Sequence, residues 1–328
     1  MDNFNALICS KEEDGPHAAG IRGAAPDELP DAPVLVEVEY STLNYKDALA
    51  VTGAAPVVRR YPMAAGIDLA GVVVESADPG WKAGDRVLVN GYGLGEVHWG
   101  GYARYARLQP EWLVRIPENL SARQAMGIGT AGYTAMLSVL ALADAGVTSG
   151  KIVVTGAAGG VGSVAIALLA QRGYSVTACS GRTDSEGDYL RGLGAGELLA
   201  REEVSGDAPP LGRELWDGAV DSVGSKVLAN ILAQTRYGGA VAACGLAAGA
   251  DLPATVMPFI LRGVRLLGID SVMAPMPLRE RAWKHLAEEL DLDLLETMMS
   301  DHTLEDVPEL CGKILAGGVR GRSVIRVE

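Results

Sequence analysis

Six residues, Ala157-Ala-Gly-Gly-Val-Gly162, hold the densest chemistry in this chain. They follow a β-branched run, Lys151-Ile-Val-Val-Thr155, and lead into an apolar helical pattern, Ser163-Val-Ala-Ile-Ala-Leu-Leu-Ala170. Strand, tight turn and helix start are the setting in which a GxGxxG fingerprint binds a dinucleotide, here with Ala157 in the first glycine position. Gly159 then lets backbone approach a pyrophosphate, and Gly162 lets helix pack on strand. The N–H groups of Ala158, Gly160, Val161 and their neighbours face the anion at the helix N-terminus. A membrane-spanning reading of 153–170 fails because Gly and Ala dominate the stretch.

Cofactor choice follows from the next strand end. Folds that prefer NAD place Asp or Glu there, against the ribose 2′-OH. Here the strand Tyr174 to Cys179 runs into Ser180-Gly-Arg182. A hydroxyl, a flexible Gly181 and a guanidinium suit a 2′-phosphate instead, so the sequence predicts NADPH. Arg201, just beyond the strand-like Glu197 to Ala200, is placed to reach the same phosphate, while Asp184 and Glu186 blunt the preference without removing it.

The elements that must position these residues divide the chain. At 328 residues two domains are the default. Alternation in Val34-Leu-Val-Glu-Val-Glu-Tyr40, with short β-rich runs at 71–75 and 86–90, predicts a β-rich first domain, 1–126. Ser121 is placed to cap the next helix, and strands then alternate with helices, predicting a doubly wound parallel sheet over 127–262. Residues 263–328 hold a helix at 278–290, another near 307–316 and a closing strand, Ser323 to Val327, that returns to the first domain. The fold class is α/β. A net charge of −13 and a pI near 4.8 argue against nucleic-acid or anionic-membrane partners. The N-terminus lacks a basic and apolar leader pattern, and no 18 strongly apolar residues run together, so a cytoplasmic protein is expected. Cys9, Cys179, Cys244 and Cys311 are widely spaced and indicate neither disulfides nor a clustered zinc site.

Asn44-Tyr-Lys-Asp47, Gly66-Ile-Asp-Leu-Ala-Gly-Val-Val73, Gly84-Asp-Arg-Val87, Gly129-Thr-Ala-Gly-Tyr-Thr-Ala135 and the Gly-rich turn together resemble the medium-chain dehydrogenase/reductase superfamily. Glu96-Val-His-Trp99, Gly100-Gly-Tyr-Ala103, Ser180-Gly-Arg182, Ala243-Cys-Gly-Leu246, Val256 to Arg262 and Gly268-Ile-Asp-Ser-Val272 are similar to its acrylyl-CoA reductase branch, commonly labelled quinone oxidoreductases. The resemblance implies a GroES-like catalytic domain, a Rossmann domain, an NADPH cleft between them and a homodimer. It departs from the zinc alcohol dehydrogenases of the superfamily: Asn44 stands near the Cys place, and Ile67 and Asp68 replace His and Glu. Asp68 alone cannot build a tetrahedral site, and no cysteine lies between Cys9 and Cys179 to form the structural zinc lobe. No metal is expected.

The resemblance also places Thr130 beside the nicotinamide, with Leu246, Ile269 and Ser271 as further cofactor contacts. Reduction of an unsaturated thioester puts charge on the carbonyl oxygen and then needs a proton at Cα, so donors and a general acid must lie close. Tyr45 suits that role, oriented by Asn44 and Asp47; by resemblance it also suits a cofactor contact, and the sequence leaves both open. Lys46 is expected to face solvent or pair with a carboxylate. His98 and Trp99 are read either as lining the substrate pocket or as structural residues. Arg59, Arg60 or Lys46 would meet the phosphates of a coenzyme A substrate. The expected activity is NADPH-dependent reduction of acrylyl-CoA to propanoyl-CoA, with quinone or enone reduction as the rival. A non-enzymatic NADPH sensor is disfavoured by the intact Asn44 to Asp47 set.

Overall fold

The computed structural model describes residues 1–12 and 15–327. Two compact units emerge, one of Met1–Thr130, Ser271–Ala287 and Leu295–Glu328, the other of Ala131–Asp270 and Glu288–Leu294. The chain opens with an antiparallel hairpin that the sequence reading did not foresee, β1 (Phe4–Lys11) and β2 (His17–Ala24). β3 (Val34–Leu43) then shows the expected alternation and leads through Asn44 into α1 (Tyr45–Thr52), a helix closed by Gly53 at φ +69°. β4 (Met63–Ala64), β5 (Asp68–Ser76), β6 (Arg86–Asn90), β7 (Tyr105–Leu108) and β8 (Val114–Arg115) complete the β-rich part.

α2 (Ala122–Asp144) begins with a capping box: the Gln124 N–H donates to Ser121 Oγ and the Ser121 N–H to Gln124 Oε1, each at 3.1 Å. It is long and apolar enough to cross a bilayer by composition, a property not anticipated from sequence. However, 89% of its apolar window is buried inside the molecule, as in a core helix. At Gly129 (φ 50°, ψ −161°) its helical geometry is broken.

In the second unit β9 (Lys151–Thr155), α3 (Gly160–Gln171), β10 (Ser175–Ser180), α4 (Thr183–Gly192), β11 (Glu197–Ala200), β12 (Trp216–Asp221), α5 (Ser225–Gln234), β13 (Thr235–Ala243), α6 (Met257–Arg262) and β14 (Arg265–Gly268) follow in chain order, strand and α-helix alternating except between β11 and β12. The six strands are all parallel, in the order β11-β10-β9-β12-β13-β14, the doubly wound arrangement with its reversal of direction between β9 and β12. β14 belongs to this sheet, so the unit runs to Asp270 rather than 262, and it starts at Ala131 rather than 127. Val153, Ile231, Leu232 and Val241 centre its core, each fully buried.

α7 (Met276–Glu289), α8 (Leu292–Met298), β15 (Met299–Thr303), α9 (Val307–Leu315) and β16 (Arg322–Arg326) end the chain. β16 returns to the first unit as expected and pairs antiparallel with β3, Ser323 opposite Leu43. The first unit's larger sheet therefore reads β15-β16-β3-β5-β6-β8, with β7 also on β3, beside a small sheet β2-β1-β4. Leu7, Leu69, Tyr102 and Leu108 are fully buried in it.

Candidate active site

In the second unit the Gly-rich turn joins β9 to α3 beside the reversal of strand direction. The tight-turn position is Gly156, at φ +60°, and not Ala157; the three spaced glycines are Gly156, Gly159 and Gly162. A side chain on Gly162 would meet Gly156 O at 2.5 Å and Ala157 Cα at 2.6 Å, so that glycine sets the packing of helix on turn. No side chain caps α3, whose N-cap is Gly159, and its first N–H groups therefore remain available to an anion. Ala158, Gly160 and Val161 lie in this same turn and first helical residues.

Parallel register brings the expected cations to the same sheet edge. Ser180 lies opposite Ala200, so Arg182 and Arg201 follow the ends of adjacent strands. Ser180 Oγ accepts the Arg182 N–H at 3.0 Å, bending the chain after the strand. The Arg201 guanidinium lies over Gly181, where a Cβ would stand 2.8 Å from its Nη2. Gly181 thus makes room for Arg201. Arg182 faces Glu186 at 3.6 Å with its side chain 27% exposed, whereas Arg201 is 55% exposed and only 3.9 Å from Glu202. Leu246, 59% exposed, follows β13, and Ile269, whose N–H donates to Ala243 O at 3.0 Å, follows β14. All these positions share the carboxyl edge of the sheet, where a dinucleotide binds in such folds. The turn and the cations fit NADPH.

The first unit builds something different around α1. The Asp47 carboxylate is fully buried and saturated: Oδ2 accepts the Asn44 N–H at 2.8 Å and Asn44 Nδ2 at 3.1 Å, while Oδ1 accepts the Ile67 N–H at 2.8 Å. Asp47 and Asn44 are thus bonded to one another at the buried start of α1, next to Tyr45, where they fix the helix rather than face a ligand. The Asn44 amide reaches on to Asp68 Oδ2 at 3.3 Å, and that oxygen accepts the Thr130 N–H at 2.7 Å. Asn90 Nδ2 donates to the Thr130 hydroxyl at 3.4 Å, while Asn90 Oδ1 accepts from Trp283 Nε1. Thr130, the expected nicotinamide neighbour, is thus held by both its N–H and its hydroxyl.

Arg322 supplies the balancing charge. Buried to 2% exposure, it donates to Gly127 O at 2.9 Å, Thr42 Oγ1 at 2.8 Å and Asn44 Oδ1 at 3.4 Å. Gly129 lets the group close up: a Cβ there would lie 2.6 Å from Arg322 Nη2 and 3.1 Å from Asp68 Oδ2. Burial pushes both carboxyl groups up, Asp47 to about 7 with help from the Asp68 charge, while Arg322 holds Asp68 down against its own burial. Asp68 Oδ1 is buried with no hydrogen-bond partner among the described residues. Reading from sequence missed Arg322, Asn90 and the role of Asp68. Their signal was present: one acid in the apolar run Ile67-Asp-Leu-Ala and one base opening the apolar strand Ser-Val-Ile imply that each needs a buried partner.

Tyr45 stands at the start of α1, 39% exposed, and its hydroxyl makes no hydrogen bond among the described residues, so it remains available. Lys46 is paired with Glu96 at 3.0 Å. His98 and Trp99 take the structural alternative: His98 Nε2 meets Arg107 O at 2.6 Å with its ring edge-on to Trp112, and Trp99 Nε1 donates to Pro62 O at 3.3 Å from a buried ring. Burial lowers the His98 pKa, favouring the neutral ring. Neither supports the pocket-lining role. Ser271 is partly buried, and its carbonyl accepts from the buried Arg279 at 3.2 Å. Among the described residues no three His, Cys, Asp or Glu side chains are grouped to hold a metal.

Residues 30–118 match the family described as alcohol dehydrogenase GroES-like domain, and residues 160–288 the one described as zinc-binding dehydrogenase. The chain is 52% identical, over 99% of both sequences, to acrylyl-CoA reductase AcuI of Ruegeria pomeroyi. The structure of the yhdH oxidoreductase from Salmonella enterica in complex with NADP superposes with a TM-score of 0.96 at 50% identity, covering 99% of this chain and 100% of that one. The Bacillus subtilis protein yhfP with NAD bound gives a TM-score of 0.94 at 43% identity, covering 99% and 100%. With its GroES-like and parallel-sheet units and this full-length likeness, the chain belongs to the medium-chain dehydrogenase/reductase superfamily, in its acrylyl-CoA reductase branch.

Proposed function

We propose that the protein is an NADPH-dependent reductase of acrylyl-CoA, giving propanoyl-CoA by hydride transfer to the β carbon without a metal. The full-length 52% identity to an acrylyl-CoA reductase carries this reading, and the available Tyr45 hydroxyl beside the fixed Asn44 supports it. NADPH supplies the hydride when bound. Gly159 to Gly162 and the α3 N-terminus would hold its pyrophosphate, Arg201 and Arg182 its 2′-phosphate, and Leu246 and Ile269, at the same sheet edge, would flank the remainder. Tyr45 donates the hydrogen bond or proton that the developing enolate requires, while Asp47, through Asn44, fixes the helix that carries it. Asp68 and Arg322 hold Thr130 and Asn44 in register.

Single-turnover absorbance of NADPH with acrylyl-CoA, with a quinone and with buffer alone tests the reading. Rapid oxidation by acrylyl-CoA only is expected; turnover of the quinone without acrylyl-CoA reduction would replace it with quinone reduction, and no oxidation by either with a sensor. The homodimer belongs to the same proposal. Among the described residues no further strand pairs with β14 at the end of the parallel sheet, and Val256, Ile260 and Leu261, in and next to the preceding α6, are 65%, 71% and 54% exposed, an apolar flank suited to a second copy. Light scattering should give twice the 34.1 kDa chain mass. The four free cysteines agree with a reducing cytoplasm.

A further inference from the structure

The chain carries 41 acidic and 28 basic residues, so carboxylates outnumber the cations they can neutralise. In the first unit Arg22, Lys46, Arg104, Arg107 and Arg115 each have an ion-pair partner. Arg59 and Arg60 do not. Both are exposed, adjacent, and without a side-chain hydrogen bond or ion pair among the described residues.

Their place is fixed relative to the candidate active site. The Arg59 N–H donates to Glu96 O at 2.8 Å, and the Glu96 carboxylate holds Lys46 at 3.0 Å, on the helix that begins with Tyr45. Val58, buried to 7% exposure, anchors the same loop in the core. Tyr61 follows, 37% exposed, its hydroxyl 3.3 Å from His17 Nδ1 and its ring edge-on to that imidazole. Two unneutralised guanidinium forks and a held aromatic ring match phosphates attached to an adenine nucleoside: forks bind phosphate oxygens in pairs, and bases stack on rings. Lys46, the third cation considered from sequence, is already engaged by Glu96.

From these observations we infer that Arg59, Arg60 and Tyr61 form the docking site for the phosphorylated adenosine end of a coenzyme A thioester, leaving the pantetheine arm to carry the acyl group toward Tyr45. The inference rests on the acyl-CoA reading above. The site binds the substrate's nucleotide and has no part in binding NADPH.

The test compares the unaltered enzyme with the exposed double variant R59A/R60A on acrylyl-CoA and on acrylyl-pantetheine, the same thioester without a nucleotide. Binding of coenzyme A itself is measured by calorimetry with NADP present, and binding of NADPH separately. The double variant should lose about tenfold or more in kcat/KM on acrylyl-CoA, mainly through KM, and lose coenzyme A affinity in parallel. Its kcat/KM on acrylyl-pantetheine and its NADPH affinity should stay within about twofold, which also shows that it is folded. Added salt should weaken acrylyl-CoA turnover in the unaltered enzyme and have little effect on that of the variant. Equal losses on both thioesters, or none on either, would overturn the site while leaving the reductase reading intact. Coenzyme A binding that depends on Arg59 and Arg60, with no reduction of either thioester, would uphold the site and overturn the reductase reading. Failure of the unaltered enzyme to bind coenzyme A overturns both.

Discussion

The two units present their chemistry in opposite ways. At the carboxyl edge of the parallel sheet the active groups are backbone N–H donors of an uncapped helix and two cations at strand ends, grouped between Gly156 and Arg201. In the β-rich unit the groups around α1 are side chains, Asp47, Asp68 and Arg322, each no more than 2% exposed and drawn from opposite ends of the chain. An anion site of backbone dipoles keeps its geometry without a ligand because helix and strand already fix it. A buried charge does not: it persists only while every partner is in place, because an unpartnered ion in a low-dielectric interior is costly. The first region should therefore respond to mutation through binding, and the second through folding.

The sharpest break of that contrast would come from Arg322→Met, which leaves Asp68 and Asp47 without their cation. Removal of one partner from a buried ionic set costs about 3–5 kcal/mol, so denaturant unfolding of the first unit should show a loss of that order. A loss under about 1 kcal/mol would mean that the cluster is not held together by charge. Asp68→Asn together with Arg322→Met should cost less than the sum of the single changes.

Tyr45→Phe comes next, and here the β-rich unit should behave through catalysis instead. The ring is 39% exposed, so stability should change by no more than about 0.5 kcal/mol. As a transition-state donor its loss should lower kcat on acrylyl-CoA by about 10²–10³-fold while NADPH affinity holds. A larger effect on NADPH binding than on kcat, read by steady-state assay and calorimetry, would assign Tyr45 to the cofactor.

At the sheet edge, Arg201→Ala should weaken NADPH by roughly 10- to 150-fold, the value of one charge-assisted contact of about 1.5–3 kcal/mol, and leave NADH nearly unchanged. Arg182→Ala should cost less, because Glu186 already lies within 3.6 Å of its guanidinium. Calorimetric titration of both nucleotides decides the order; equal losses for NADPH and NADH would remove the 2′-phosphate from the account.

The comparison can also be tested through pH. Burial and the Asp68 charge raise the Asp47 carboxyl to about 7 in the folded chain, above the ordinary 3.8. Stability from the neutral form is full below the unfolded value and is lost as pH rises through the folded one. Asp68 and Asp221 are also shifted upward by burial and add to this fall, Glu28, Asp85, Asp207, Asp301 and Asp306 are shifted downward, and the lowered His98 opposes the fall. Unfolding free energy should therefore fall between pH 4 and pH 7, by at most about 1.4 kcal/mol per pH unit for one proton. In Asp68→Asn, which removes the neighbouring negative charge, the slope should flatten. An unchanged slope would detach Asp47 from Asp68.

Legibility followed contiguity. The turn from Lys151 to Gly162 was readable because strand, glycines and helix are consecutive, although Gly156 rather than Ala157 takes the positive φ. His98 and Trp99 show the reverse, since nothing local distinguishes a ring that lines a pocket from one whose nitrogen is satisfied by Arg107 O or Pro62 O. α1 went unread because its eight residues are too few for a clear period.

By itself the sequence determined the parallel sheet, the dinucleotide turn, the cations suited to a 2′-phosphate and the return of the last strand to the first domain. Each rests on short-range rules of backbone geometry and alternation. The tertiary structure alone decided that Asp47 is a buried anchor, that Asp68 and Asn90 hold Thr130, that Arg322 reaches Asn44 across 278 positions, and that Gly129 makes room for the group. A charged residue in an apolar strand signals that it needs a partner, but only the folded chain, by bringing distant strands within hydrogen-bond reach, determines which one it gets.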